Sequence, residues 1–117
     1  SVTFSSNLVQ MGANINVPFH YWEIDGNHIQ NDAKTGQTVW INENLIDIET
    51  EDGLEMFSNL KFRFQFCMDA HCFEDVYAKV LSAREARNGR RFYRIGITNI
   101  EQEDREILRR WTAEATQ

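Results

Sequence analysis

Four arginines close together in the second half of the chain could bind an anionic group. The stretch ARNGRRFYRIGI, residues 86–97, contains Arg87, Arg90, Arg91 and Arg94. Arg87 and Arg91 are separated by three residues, a spacing that some phosphate-binding loops use, and guanidinium groups bind phosphate through paired hydrogen bonds. Asn88-Gly89, however, favours a tight hairpin turn, because both residues tolerate positive φ. The segment therefore supports two interpretations, an anion-binding site or a hairpin with solvated arginines.

A second group of reactive side chains is formed by Cys67, His71 and Cys72, which could ligate zinc. Zinc sites usually take their ligands from two separated pairs, and no second Cys or His pair follows in the sequence. We interpret the segment as a hairpin loop with reduced thiols. A disulfide across the hairpin is the alternative, although it is unusual in a reducing compartment. We therefore predict no metal site.

The sequence contains no group of residues typical of catalysis. The carboxylates of residues 47–52, DIETED, alternate along a predicted strand, and we expect them to form a solvated face. His20 lies between two aromatic residues, a setting typical of a packed or surface histidine rather than a general base. No Gly-rich phosphate-binding loop of the Walker or dinucleotide type is present. We therefore predict that the chain is not an enzyme.

Length and composition indicate a single folded domain. The chain has 117 residues, of which 42% are hydrophobic and 12% aromatic. A chain of this length can bury roughly two-thirds of its unfolded surface in one core. No apolar run approaches the ~20 residues that a membrane span requires, and no secretion signal is recognisable. We expect a cytoplasmic domain, and the Ser at position 1 suggests a processed chain or a piece of a longer one.

Charge is distributed unevenly along the chain, whose formal net charge is -6. Residues 1–60 contain one basic residue, Lys34, and nine acidic residues, whereas residues 61–117 contain eleven basic and nine acidic residues. A nucleic-acid-binding protein needs a basic surface that neutralises several phosphates. One short arginine cluster in an acidic chain does not provide such a surface, so we predict no nucleic-acid binding.

Apolar periodicity predicts that most of the chain forms β-strands. Residues 17–24, VPFHYWEI, are rich in aromatic and β-branched residues and precede an Asp-Gly-Asn turn. Residues 31–38 are polar, and we predict that they form a connection. Alternation of apolar and polar residues marks the later strands, in residues 39–50, 59–68, 73–85 and 90–100.

The periodicity becomes helical near the C-terminus. Apolar residues recur at helical spacing at Ile107, Leu108, Trp111 and Ala115. Acidic residues precede them and arginines follow, the order that the helix dipole favours. We therefore predict an amphipathic α-helix over residues 101–115.

These elements resemble those of the PilZ domain family. Residues 78–111, AKVLSAREARNGRRFYRIGITNIEQEDREILRRW, carry most of the resemblance: a short hairpin, an apolar-Gly-apolar strand and an acidic helix start. ENLIDIETEDGLEMFSNLKFRFQF is similar to two further strands joined around a glycine, and VPFHYWEI to the first strand. The resemblance implies a six-stranded antiparallel β-barrel with a C-terminal α-helix. One domain would then comprise an N-terminal extension (1–16), barrel strands (17–100) and the helix (101–115).

The resemblance also implies a bacterial regulatory module, whose best-known members bind cyclic di-GMP. The family holds that ligand with an R-x-x-x-R arm before the first strand and a D/N-x-S-x-x-G segment on the next. The arm aligns here with residues 8–12, LVQMG, which contain no arginine. The second motif aligns with Trp40, Asn42 and Leu45; a shifted register, with Asn42, Asn44 and Asp47, keeps only its first position.

We therefore expect a divergent PilZ-like domain that has lost the usual ligand site and acts through a protein partner or an attached domain, without a cofactor. The alternative is a cyclic di-GMP sensor that uses an altered set of residues. The candidate binding residues are Asn42, Asn44, Arg84, Arg87, Arg90 and Arg91.

Overall fold

The computed structural model describes residues 11–64, 67–68, 71–73 and 75–116, and for residues 64, 67–68, 71–72, 85–87 and 115–116 it describes the backbone alone. Strands and one helix alternate with short turns along this part of the chain. The elements are β1 (Ala13–Asp25), β2 (His28–Ile29), β3 (Lys34–Ile41), β4 (Leu45–Thr50), β5 (Asn59–Phe64), β6 (Cys67–Met68), β7 (His71–Cys72), β8 (Val76–Arg87), β9 (Arg90–Asn99) and α1 (Gln102–Thr116).

Six of the described strands close into a barrel in the order β1-β3-β4-β9-β8-β5, because β1 pairs with β3 on one side and with β5 on the other. Every neighbouring pair is antiparallel. The short strand β2 extends the sheet from β1. The predicted six-stranded antiparallel barrel with a C-terminal helix is confirmed. No helix among the described residues is long and apolar enough to cross a membrane.

The prediction of a connection at residues 31–38 was wrong for most of that segment. β3 begins at Lys34; it pairs with β1 from Lys34 to Ile41 and with β4 from Gln37 to Ile41. Because many of its residues are polar, the sequence of β3 shows no clear alternation of apolar and polar side chains. Backbone hydrogen bonds to two neighbouring strands nevertheless hold it in the barrel. β1 also begins four residues before Val17, at Ala13, which pairs with Ile41.

Alternate residues of the strands fill the barrel with an apolar core. Phe19, Tyr21 and Phe62 form a cluster of rings whose centroids lie 5.0–6.0 Å apart. Ile46 and Ile48 of β4 are fully buried, so Asp47 between them points to the outer face. The helix α1 adds Leu108, which is 2% exposed and lies near Ile41, Ile46 and Phe73.

Two predicted hairpins can be compared with the structure. Asn88 and Gly89 have φ values of 53° and 77°, as a tight turn between β8 and β9 requires. The backbones of β6 and β7 also form a hairpin, in which Cys67 pairs with Cys72. The thiols and the His71 side chain lie outside the described side chains, so the prediction of reduced thiols and its alternatives stay predictions.

Candidate functional site

The turn between β3 and β4, where the sequence places the second ligand motif, is held together by the side chain of Asn42. Its Oδ1 accepts hydrogen bonds from the backbone N–H groups of Asn44 (2.8 Å) and Leu45 (2.7 Å). Its Nδ2 donates to the carbonyl oxygen of Met11 at 2.8 Å. Asn42 is buried, and these bonds engage both ends of its amide. Asn42 therefore shapes the turn and ties it to the segment before β1.

Asn44 connects the same turn to the helix. Its Oδ1 accepts a hydrogen bond from Nη1 of Arg105 at 2.8 Å, and the same nitrogen donates to the carbonyl oxygen of Glu43. The carbonyl oxygen of Asn44 accepts from the backbone N–H of Ile97 at 2.8 Å. Both candidate asparagines thus have partners within the domain. Arg105 is a residue that the sequence analysis did not single out.

Trp40, at the first position of the motif, lies on the outer face of β3. It pairs across the sheet with Asp47 of β4, and Asp47 pairs in turn with Arg94 of β9. The guanidinium of Arg94 lies over the indole of Trp40, with Cζ 5.3 Å from the ring centroid. This distance is within the range of a cation–π contact. Trp40 therefore forms one end of a row of side chains that crosses three strands.

The centre of that row is an ion pair between Asp47 and Arg94. Nε of Arg94 donates to Oδ1 of Asp47 at 2.8 Å, and Nη2 donates to Oδ2 at 2.9 Å. These hydrogen bonds raise the pKa of Arg94 above its ordinary value. Asp47 is only 8% exposed, so the prediction that it belongs to a solvated face was wrong. The guanidinium of Arg94, on the neighbouring strand β9, covers this carboxylate.

The four candidate arginines do not converge on one point. Arg84 lies near Asp47, with Nη2 3.8 Å from Oδ2, and its side chain is 62% exposed. Arg90 forms an ion pair with Glu49. Arg91 donates from Nη1 to the carbonyl oxygen of Glu51 at 2.9 Å, on the loop after β4. The side chain of Arg87 lies outside the described side chains.

We call Trp40, Asp47, Arg84 and Arg94 the outer-face cluster. It combines an aromatic ring, two guanidinium groups and one carboxylate, and therefore carries a net positive charge. None of the four side chains is a hydroxyl, a thiol or an imidazole, and none ordinarily titrates near neutral pH. The cluster is consequently suited to stacking and to binding an anion, rather than to acid–base chemistry.

The sequence analysis named Arg84 as a candidate binding residue. It did not place Trp40, Asp47 and Arg94 together with it in one site. Their alternation with buried residues could have placed each of them on the outer face of its strand. Which strands are neighbours, and in which register, is not visible in that alternation. The cluster therefore emerges only when β3, β4 and β9 are paired.

Comparisons with known proteins identify the fold. No protein-family model matches the chain, and no curated protein is significantly similar to it in sequence. The structure of the Bacillus subtilis inhibitor of motility, MotI/DgrA, superposes with a TM-score of 0.68 and 13% sequence identity. The match covers 89% of this chain and 48% of that protein, so the chain spans about half its length.

A second similar structure is the PilZ domain of CeSA from a cellulose-synthesizing bacterium. It superposes with a TM-score of 0.55 and 15% identity, over 88% of this chain and 95% of that domain. The closed six-stranded antiparallel barrel with its C-terminal helix matches a fold of this type. The chain therefore has a PilZ-like fold.

Proposed function

We propose that this chain is a non-catalytic, cytoplasmic regulatory domain that acts by contact with a protein partner or an attached domain. Under this proposal it does not bind cyclic di-GMP in the way that the family's motifs imply. The observation that carries the proposal is the position of Trp40. Its indole lies at the position where the sequence alignment places the small Asp or Asn of the motif, and it is covered by Arg94 of the same domain.

The other polar groups at this place also support the proposal, because they already have partners. Asn42 is engaged by the backbone of its own turn and by Met11. Arg94 is held by both oxygens of Asp47, and Arg90 is paired with Glu49. A ligand with two phosphates would have to break such contacts, in a chain whose first 60 residues contain nine acids and one lysine.

The comparison with solved structures is consistent with a regulatory role. One of the similar structures is that of a protein named as an inhibitor of motility. We extend only the general idea to this chain, namely that a PilZ-like barrel can belong to a regulatory protein.

Calorimetric titration of the protein with cyclic di-GMP, at low and at moderate salt, tests the expectation that the protein does not bind this ligand. We expect no saturable heat. Binding with a micromolar or lower Kd, ~-8 kcal/mol or stronger, would overturn the proposal.

A second measurement compares amide hydrogen exchange of the purified chain with that of the same chain in an extract of its source cells. Protection confined to one surface supports contact with a partner, and unchanged exchange everywhere contradicts it.

A cyclic di-GMP sensor with an altered site is the second candidate, and one observation favours it. Arg84 is largely exposed and shares Asp47 with Arg94, so the cluster has a cation that its carboxylate does not fully neutralise. If the titration shows binding, Arg84→Ala should weaken it at least tenfold, a loss of about 1.4 kcal/mol. Arg110→Ala, an exposed change on α1, is the matched control and should leave the affinity unchanged.

A further inference from the structure

The loop between β4 and β5 presents two apolar side chains to solvent. Met56 is 44% exposed and Phe57 is 64% exposed, the largest exposed fraction among the large hydrophobic residues that the structure describes. Both lie in a turn in which the carbonyl oxygen of Glu55 accepts hydrogen bonds from the backbone N–H (3.2 Å) and from Oγ (2.7 Å) of Ser58. The ring of Phe57 therefore contributes little apolar burial to the folded domain.

The backbone of Phe57 is strained. Its φ is 64°, in the left-handed region, where a bulky side chain is rare and glycine or asparagine is the usual turn residue. The turn is nevertheless fixed to β8, because the N–H of Phe57 donates to the carbonyl oxygen of Val80 at 2.8 Å. The N–H of Val80 donates in turn to the carbonyl oxygen of Ser58 at 3.0 Å. A strained residue that points a large apolar side chain into water indicates a role outside the domain.

An acidic cleft opens beside this turn. Its volume is about 360 Å³, and its walls include Glu55 and Ser58 of the turn together with Glu23 and Asp25 of β1. No described lysine or arginine lines the cleft. Glu23 is paired with Lys34, whereas Asp25 and Glu55 are exposed and form no ion pair with the described side chains. The cleft therefore places uncompensated negative charge next to the exposed apolar side chains.

We propose that this turn and the acidic cleft form a docking surface for a segment of a partner protein that carries apolar side chains next to lysine or arginine. The apolar groups of the segment cover Met56 and Phe57, and its cations enter the cleft beside Asp25 and Glu55. An aromatic side chain on a fixed turn is suited to anchor such a contact, because little backbone freedom is lost on binding. The inference rests on the proposed function, since it assigns the partner contact to one surface of the barrel.

The probe is a short synthetic peptide of leucine and lysine, and the comparison peptide has glutamate in place of lysine. Each carries a fluorescent label, and its anisotropy is followed as the protein is added. The wild-type protein should bind the lysine peptide at least about tenfold more tightly than the glutamate peptide. This affinity should fall as salt is raised, because exposed charges are screened. Equal affinity for the two peptides would overturn the proposal.

Phe57→Gly separates binding from folding. Glycine accepts the positive φ without strain, so the variant should melt no lower than the wild-type protein. It should bind the lysine peptide about tenfold more weakly, because the anchoring ring is absent. Phe57→Asn, which also tolerates this φ, should behave in the same way. Unchanged peptide affinity in both variants would overturn the proposal. A lower melting temperature in both would assign the ring to the stability of the fold, with the same consequence.

Glu55→Gln tests the charge of the cleft. It leaves the turn intact, because the hydrogen bonds of the turn use the backbone carbonyl of Glu55. The variant should bind the lysine peptide about threefold more weakly and with a smaller dependence on salt. An affinity and a salt dependence equal to those of the wild-type protein would overturn the proposal.

Two exposed positions away from the turn provide matched controls. Glu114→Gln, on α1, removes the same charge, and Met11→Ser removes a side chain that is 46% exposed, near the end of β1 opposite Asp25. Both variants should bind the lysine peptide as the wild-type protein does. Losses as large as those at Glu55 and Phe57 would show that the peptide binds the acidic protein without a defined site, which would overturn the proposal.

A second copy of the chain is the alternative occupant of the docking surface, and sedimentation velocity tests it. The wild-type protein should remain monomeric at the concentrations of the titrations. Dimerisation of the wild type but not of Phe57→Gly would assign the surface to self-association and overturn the proposal. The proposed function fails by a different result, the binding of cyclic di-GMP. Protection from hydrogen exchange in cell extract at a surface that excludes residues 55–58 would overturn the present inference alone.

Discussion

Arg94 holds Asp47 through two parallel hydrogen bonds, Nε to Oδ1 at 2.8 Å and Nη2 to Oδ2 at 2.9 Å, across neighbouring strands of the barrel. A guanidinium matches the two carboxylate oxygens in one plane, and it can stack on an indole at the same time. The ammonium of lysine can do neither equally well. The pair is therefore expected to be sensitive to a substitution that keeps the charge.

Arg94→Lys should lower the free energy of unfolding by about 1–2 kcal/mol, because Asp47 loses a bidentate partner while it remains buried. Urea denaturation followed by circular dichroism measures the change. Arg110→Lys, at an exposed position of α1, is the control and should leave the midpoint unchanged. Equal stability of the two variants would show that the hydrogen-bond geometry is unimportant.

Asn42→Ala should destabilise the fold by about 2 kcal/mol, since it removes three hydrogen bonds at a buried turn. Asn42→Asp keeps the acceptor for the two backbone N–H groups and loses the donor to Met11, so its stability should lie between those of the wild type and Asn42→Ala. Thermal melting of the three proteins gives the order. An unchanged melting temperature for Asn42→Ala would contradict a structural role.

Tyr21 should make stability depend on pH in the alkaline range. Burial, followed by the hydrogen bond to Asp52, raises the pKa of Tyr21 above its ordinary value of 10.0. The unfolded chain loses this proton near pH 10, whereas the folded chain retains it. The stabilisation is therefore complete below about pH 10 and decreases above it, by up to ~1.4 kcal/mol per pH unit.

Urea denaturation of the wild type and of Tyr21→Phe between pH 8 and pH 11 tests this linkage. Tyr77 and Tyr93 are present in both proteins, so their contributions cancel. The stability of the wild type should fall more steeply above pH 10 than that of Tyr21→Phe. Parallel curves would mean that Tyr21 ionises in the folded state as readily as in the unfolded state.

Leu108→Ala should lower the free energy of unfolding by about 2–4 kcal/mol, because Leu108 is 2% exposed and lies among apolar residues of the barrel. Glu114→Ala, at an exposed position of the same helix, should change stability little. Chemical denaturation of both variants measures the difference. A loss of similar size in the two would indicate that the variants weaken the helix itself rather than its contact with the barrel.

The sequence predicted the barrel strands where apolar and polar residues alternate, and the helix where apolar residues recur at helical spacing. Phe62 and its neighbours mark a strand with one buried face, and Asn88-Gly89 marks a tight turn. β3 was missed over most of its length because its polar residues are held by two neighbouring strands rather than by a marked apolar face. Its place in the barrel depends on contacts with residues far away in the chain.

Local sequence also predicts that the usual ligand motifs are incomplete, since that prediction needs only the residue types at the aligned positions. The pairing of β3, β4 and β9 decided that Trp40, Asp47 and Arg94 form one row. It also decided that Arg90 contacts the carboxylate of Glu49 while Arg91 contacts the backbone of Glu51. A strand's side chains alternate at a period that can be read from one segment. The register between strands depends on the whole closed barrel. That register in turn determines where each side chain of the outer-face cluster lies.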